Sequence, residues 1–153
     1  MIDNSELNEL YQSIIIEHSK RPRNFGHIEC SYHTIGKNPS CGDEVNLYIK
    51  TDDNKSRIED IKFNGEGCAL SIASASLMTQ LVKGKTLIDS KDIINSFINF
   101  IVNNETLDEK YKLLHIFDGV KNFPLRVKCV LLSWRALEKF NSQIKCNQKC
   151  NQV

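Results

Sequence analysis

The sequence predicts an α+β domain: a small three-stranded antiparallel sheet with helices packed mainly on one face. Two observations lead there. The apolar period is helical at the N-terminus, gives way to short β-like runs, and turns helical again from residue 68. The β-like runs are joined by short turns, which suits a meander. A third observation limits the domain count. The 153 residues contain no linker before the last ten and no internal repeat. One domain is therefore expected over residues 1–142, with a polar, flexible tail at 143–153.

The first helix is expected over residues 3–20, where Asp3 and Glu6 fit a capping box and Leu7, Leu10, Tyr11, Ile14 and Ile15 recur at helical spacing. "KRPRNFG" ends it, since Pro22 disfavours helix before it and Gly26 releases the chain. Strands follow at about 29–36, 44–51 and 57–64, with Val45, Leu47 and Ile49 alternating against polar residues. "TDDNKS" supplies the turn between the second and third. The run "CALSIASASLMTQLV", 68–82, is apolar and small throughout, as a helix lying close on a sheet requires, and Gly84 closes it. Residues 90–103 place Ile93, Ile94, Phe97, Ile98, Ile101 and Val102 on one stripe. A shorter helix is expected around 108–117, and "FP" at 123–124 opens a last one running to about 140.

Composition narrows the function classes. A net charge of +1 gives no field that would steer the chain to nucleic acid or an anionic membrane, so neither is expected as a partner. No apolar run is long enough to span a bilayer, and "MIDNSELNEL" lacks the form of a signal peptide. The expected location is the cytoplasm. In a reducing compartment, the six cysteines (30, 41, 68, 129, 146 and 150) point to packing, metal ligation or redox chemistry before disulfides. No CxxC pair occurs, so any metal site must be assembled by the fold from distant segments.

Cys41 ends a turn before a strand, Cys68 opens a helix after "NGEG", and Cys129 stands near the start of another. Helix starts favour thiolate over thiol, yet a free cysteine also serves as a small buried hydrophobe. Asp43 adds a carboxylate two positions from Cys41, on the same side if the segment is extended. Cys41, Asp43, Cys68 and Cys129 would together offer three thiolates and a carboxylate, a donor set zinc accepts. On residue chemistry alone, this metal centre and chance proximity stand level. The four histidines show no metal-binding spacing and are not assigned to metal. "HIE" at 27–29 lacks the PCxxC half of a zinc deaminase signature. Cys30 falls in the first expected strand and reads as structural.

"NPSCGDEV", "NGEGCALSIASASLM" and "FPLRVKCVLLSWRAL" resemble the three cysteine motifs of the IscU/NifU-type iron–sulfur assembly family. "LYQSIIIEHSKRPRNFG" is similar to that family's opening helix and turn. Scaffold members carry a histidine directly before the third cysteine, where this chain has Lys128, and have a shorter path between the second and third cysteines. Both departures resemble the SufU branch of zinc-dependent sulfurtransferases. The scaffold branch's Leu-Pro-Pro chaperone motif is replaced by "FPLRVK", so chaperone docking is not carried over.

The resemblance implies a SufE/NifU-like fold and a persulfide carrier. In that reading Cys41 accepts sulfur from a SufS-type, PLP-dependent cysteine desulfurase. Cys41, Asp43, Cys68 and Cys129 hold zinc, and a SufBCD-type assembly complex takes the sulfur. Arg126 and Lys128, in the third motif, are candidates for docking the desulfurase or supporting Asp43. The alternatives are a scaffold that builds a [2Fe–2S] cluster on the same residues, with iron in place of zinc, and a non-catalytic zinc-stabilised binding module.

Overall fold

Alternation of apolar and polar residues along the strands leaves one sheet face to be covered, and the helices cover it. The computed structural model describes residues 4–146. Its elements run α1 (Asn4–Lys20), β1 (Tyr32–Asn38), β2 (Asp43–Thr51), β3 (Ile58–Glu66), α2 (Ala69–Val82), α3 (Leu87–Asn103), a 3-10 helix (Glu109–Val120) and α4 (Pro124–Cys146). The strands form the expected antiparallel meander in the order β1-β2-β3. Its register runs from Tyr32↔Ile49 to Asn38↔Asp43 in the first pair and from Glu44↔Glu66 to Thr51↔Ile58 in the second. Val45, Leu47, Ile49, Ile61 and Phe63 are buried, with α4 packed on β1 and β2 and α2 on β3. On β2 the intervening Asn46 and Tyr48 are only partly buried, and His33 of β1 stacks on Tyr48 with ring centroids 4.8 Å apart.

Several boundaries differ from those read in the sequence, three of them for a visible reason. β1 begins at Tyr32, because Cys30 takes a left-handed conformation (φ 54) in the turn before it. Cys30 is thus an exposed turn residue and not part of a strand. α3 begins at Leu87, where the Thr86 side chain accepts the Asp89 N–H as an N-cap. α4 continues past 140 to Cys146, since Ile144 still packs into the core. Asp3, half of the expected capping box, and residues 147–153 of the expected tail lie outside the described residues. Among the described residues, no helix is long and apolar enough to cross a membrane.

α2 is the hub. It is buried on nearly every side, between α1, α4 and the sheet, and small residues let those neighbours approach. Its buried hydroxyls must find partners, because desolvating one without a hydrogen bond is costly. Ser74 accepts from Trp134 Nε1 at 2.9 Å and donates to the Val130 carbonyl at 2.6 Å. Ser76 accepts the Arg23 N–H at 2.8 Å and shares a hydrogen bond with His18 Nδ1 at 2.7 Å. Thr79 accepts from Asn24 Nδ2 at 3.0 Å. The "RPRNFG" segment is thereby held on α2. It also covers the open edge of β3, where Phe63 N donates to Asn24 O and Gly26 N to Phe63 O.

Two stability effects follow. Ser74→Ala strands the indole N–H of the fully buried Trp134 and should cost about 1–3 kcal/mol in denaturant unfolding. In a Trp134→Phe background most of that cost should vanish, and an equal cost in both backgrounds would refute the pairing. Burial, with the Arg23 charge adding to it, lowers the pKa of His18 below its usual 6.5, against a smaller opposing effect of Glu17. The unfolded chain therefore takes up this proton first, so stability should fall as pH drops through about 6.5 toward the lower folded value. His18→Gln should flatten that part of the stability–pH curve.

Candidate metal centre

The hairpin turn between β1 and β2, the N-terminus of α2 and the second turn of α4 meet at one end of the sheet. Each contributes a residue singled out in the sequence. Asp43 opens β2 and is 4% exposed, while Cys129 on α4 is 5% exposed. Cys68 is the N-cap residue of α2 and is exposed. The ligand atoms of Asp43, Cys68 and Cys129 all lie within 4.8 Å of one another.

The carboxylate of Asp43 organises the group. Its Oδ1 accepts the Cys68 N–H at 3.2 Å, and its Oδ2 accepts from Ser71 Oγ at 2.5 Å and from Cys68 Sγ at 3.9 Å. An anion at a helix N-terminus also gains from the aligned peptide dipoles. Gly67 makes the approach possible, since a Cβ there would stand 3.1 Å from the Asp43 carboxyl carbon and from Oδ1. Ser71 was not singled out in the sequence. Its signal was available as a polar residue one helical turn after Cys68.

Cys41 is placed differently. It sits in the turn closed by its own N–H to the Asn38 carbonyl at 3.1 Å, and it is exposed. An extended backbone would have put Cys41 and Asp43 on one side, but Gly42 between them is left-handed (φ 72), so that reasoning fails here. The Cys41 thiol stands outside the group of three, and its influence on the Cys129 thiol is the smallest of those acting there.

Burial is the main cause that pushes the Cys129 thiol far above its usual range, and hydrogen bonding to Asp43 adds to it. A buried thiol of this kind ionises when a cation shares the pocket. Two sulfurs and a carboxylate converging from three segments fit zinc, which takes both donor types in tetrahedral sites and would have a fourth position left for Cys41 or an incoming group.

The other two candidates have these surroundings. Arg126 lies over the Phe123 ring, 4.8 Å from its centroid. Ser71 and Cys68 both donate to the Asp43 carboxylate. Lys128 is exposed and lines a cleft of about 360 Å³ with Val102, Val127, Leu131 and Arg135.

Comparison with known proteins agrees with this architecture. Residues 10–130 match the family model described as the NifU-like N-terminal domain. The chain is 41% identical over 138 residues to the zinc-dependent sulfurtransferase SufU of Bacillus subtilis, covering 89% of this chain and 92% of that one. It is 38% identical over 136 residues to the iron–sulfur cluster assembly scaffold protein IscU of Streptococcus pyogenes, covering 88% and 84%. Among solved structures, the SUF-system scaffold protein FiSufU of Fervidobacterium islandicum superposes with a TM-score of 0.75 at 38% identity, covering 86% of this chain and 96% of that one. The resemblance carried by the three cysteine motifs thus holds over most of the length, and the chain belongs to the NifU-like N-terminal domain family.

Proposed function

We propose that the chain is a zinc-dependent sulfurtransferase of iron–sulfur cluster assembly, with Cys41 as its sulfur acceptor. The observation that carries this reading is the contrast between an exposed thiol at Cys41 and a separate, close-set group of Asp43, Cys68 and Cys129, in which Asp43 and Cys129 are buried. Its similarity to a SufU over 89% of its length supports the same reading.

Zinc held by Asp43, Cys68 and Cys129, with Cys41 as fourth ligand at rest, would keep the thiols ionised and quiet the nucleophilicity of any sulfur bound to it. Cys41 acts once free of the group. Its thiolate attacks the outer sulfur of a cysteine persulfide on a PLP-dependent, SufS-type desulfurase. A new S–S bond forms at Cys41 as the donor's S–S bond breaks, and the donor cysteine leaves as thiolate. No net oxidation occurs. The sulfur then passes by the same exchange to an acceptor, in this reading a SufBCD-type complex. Gly42 is left-handed, and a Cβ there would meet nothing within 4 Å, so the turn has room to carry Cys41 between the two positions. A cytoplasmic location fits this chemistry.

A scaffold role, with a [2Fe–2S] cluster on the same donors, is the second reading, favoured by the likeness to the streptococcal IscU. Metal analysis separates the two. The first reading expects about one zinc per chain as isolated. The second expects a cluster that reconstitutes anaerobically and transfers intact to an apo-ferredoxin.

Cys41→Ala should retain zinc at reduced affinity yet abolish persulfide uptake from the cognate desulfurase, read by mass spectrometry as loss of the added sulfur. Uptake at the wild-type level would remove Cys41 from the acceptor role. Asp43→Ala should lower zinc affinity at least tenfold in chelator competition, by about 1.4 kcal/mol or more. An unchanged affinity would exclude Asp43 as a ligand.

A further inference from the structure

A single hydroxyl on α2 reaches all three residues of the donor group. Ser71 Oγ lies 2.5 Å from Asp43 Oδ2, 3.7 Å from Cys68 Sγ and 3.3 Å from the carbonyl oxygen of Cys129. Ser71 is only 7% exposed, so bulk water has little access to replace it. A serine has one proton, and the short contact to a carboxylate is where it goes. The other carboxylate oxygen is held by the Cys68 N–H at 3.2 Å. Asp43 is therefore fastened at both oxygens, from two points on the first turn of one helix.

That fastening has a consequence for coordination number. Each oxygen of a carboxylate held this way keeps a lone pair for a metal, but turning the group to present both to one ion would break one of the two hydrogen bonds. Cys68, Cys129 and one oxygen of Asp43 fill three of zinc's four tetrahedral positions. If Asp43 turned to bind through both oxygens, it would fill the fourth position, the one a reversibly bound Cys41 needs.

We propose that Ser71 is a positioning residue that holds Asp43 as a one-oxygen ligand and thereby keeps the fourth position of the metal centre for Cys41. This rests on the metal-site reading above. It concerns how the chain's own residues set affinity and geometry, so it is tested without sulfur transfer.

The full-length chain is loaded with zinc and titrated against a chromophoric chelator, and a second sample is loaded with cobalt(II) for its visible absorption. Ser71→Ala should weaken zinc binding by about 10- to 100-fold, the usual range for loss of a group that orients a metal ligand. It should also shift and weaken the cobalt bands as a second Asp43 oxygen takes the place of the Cys41 sulfur. Ser71→Thr, which keeps the hydroxyl, should restore both. In an Asp43→Ala background, Ser71→Ala should cost no further affinity, and that double variant leaves neither partner of the pair behind. Wild-type affinity and cobalt spectrum in Ser71→Ala would overturn the proposal. So would an equal loss with and without Asp43, which would mark a general structural effect. Failure of the wild-type chain to bind zinc at all would instead sink the metal-site reading, and this proposal with it.

Discussion

A helix buried on nearly every side, yet carrying four buried hydroxyls, sets the terms for this molecule. α2 places Ser71, Ser74, Ser76 and Thr79 in the interior, and each must be hydrogen-bonded or the fold loses stability. Each is satisfied by a different part of the chain. Ser71 takes β2 through Asp43, Ser74 takes α4 through Trp134, Ser76 takes α1 through His18, and Thr79 takes the following turn through Asn24. Apolar contact alone would let these neighbours slide along a helix with six alanine or serine residues among its fourteen. The hydroxyls fix where each one sits.

This registration is what brings the donor group together. β2 delivers Asp43, the start of α2 delivers Cys68, and α4 delivers Cys129. The three residues are far apart in sequence, and their ligand atoms come within 4.8 Å because α2 is tied to both β2 and α4. The ties lie on the same helix three residues apart, at Ser71 and Ser74. Structural and chemical demands thus share one element, and a shift of α4 against α2 would move Cys129 away from Asp43.

The elements themselves were legible because periodicity is a local property. The meander follows from Val45, Leu47 and Ile49 and from the short turns, and the helical stripe of α3 from Ile93, Ile94, Phe97 and Ile101. Boundaries were less legible where a single backbone conformation decides them. The left-handed Cys30 delays β1, and the Thr86 cap advances α3. The donor residues were legible through their motifs, but their geometry was not. Extended-strand reasoning put Cys41 beside Asp43, whereas a left-handed Gly42 separates an exposed thiol from a buried carboxylate. Ser71 escaped notice because a serine in a small-residue helix reads as packing. Its partner is 28 residues away, so the hydrogen bond becomes visible only once the sheet and helix are set together.

That separation bears directly on how one thiol can be used differently from its neighbours. Cys129 is buried on a helix whose core side holds Val130 and Trp134, so moving its sulfur would disturb the interior. Cys68 is exposed, but its backbone N–H is committed to Asp43 and its carbonyl to the first turn of α2. Cys41 alone of the three stands on a turn held by one backbone hydrogen bond of its own, with an adjoining glycine that a side chain would not crowd. Local stability is lowest where buried contacts and backbone hydrogen bonds are fewest. Of the three cysteines, Cys41 is thus on the segment that moves at least cost, whereas Cys68 and Cys129 are anchored by α2 and by the helix tied to it.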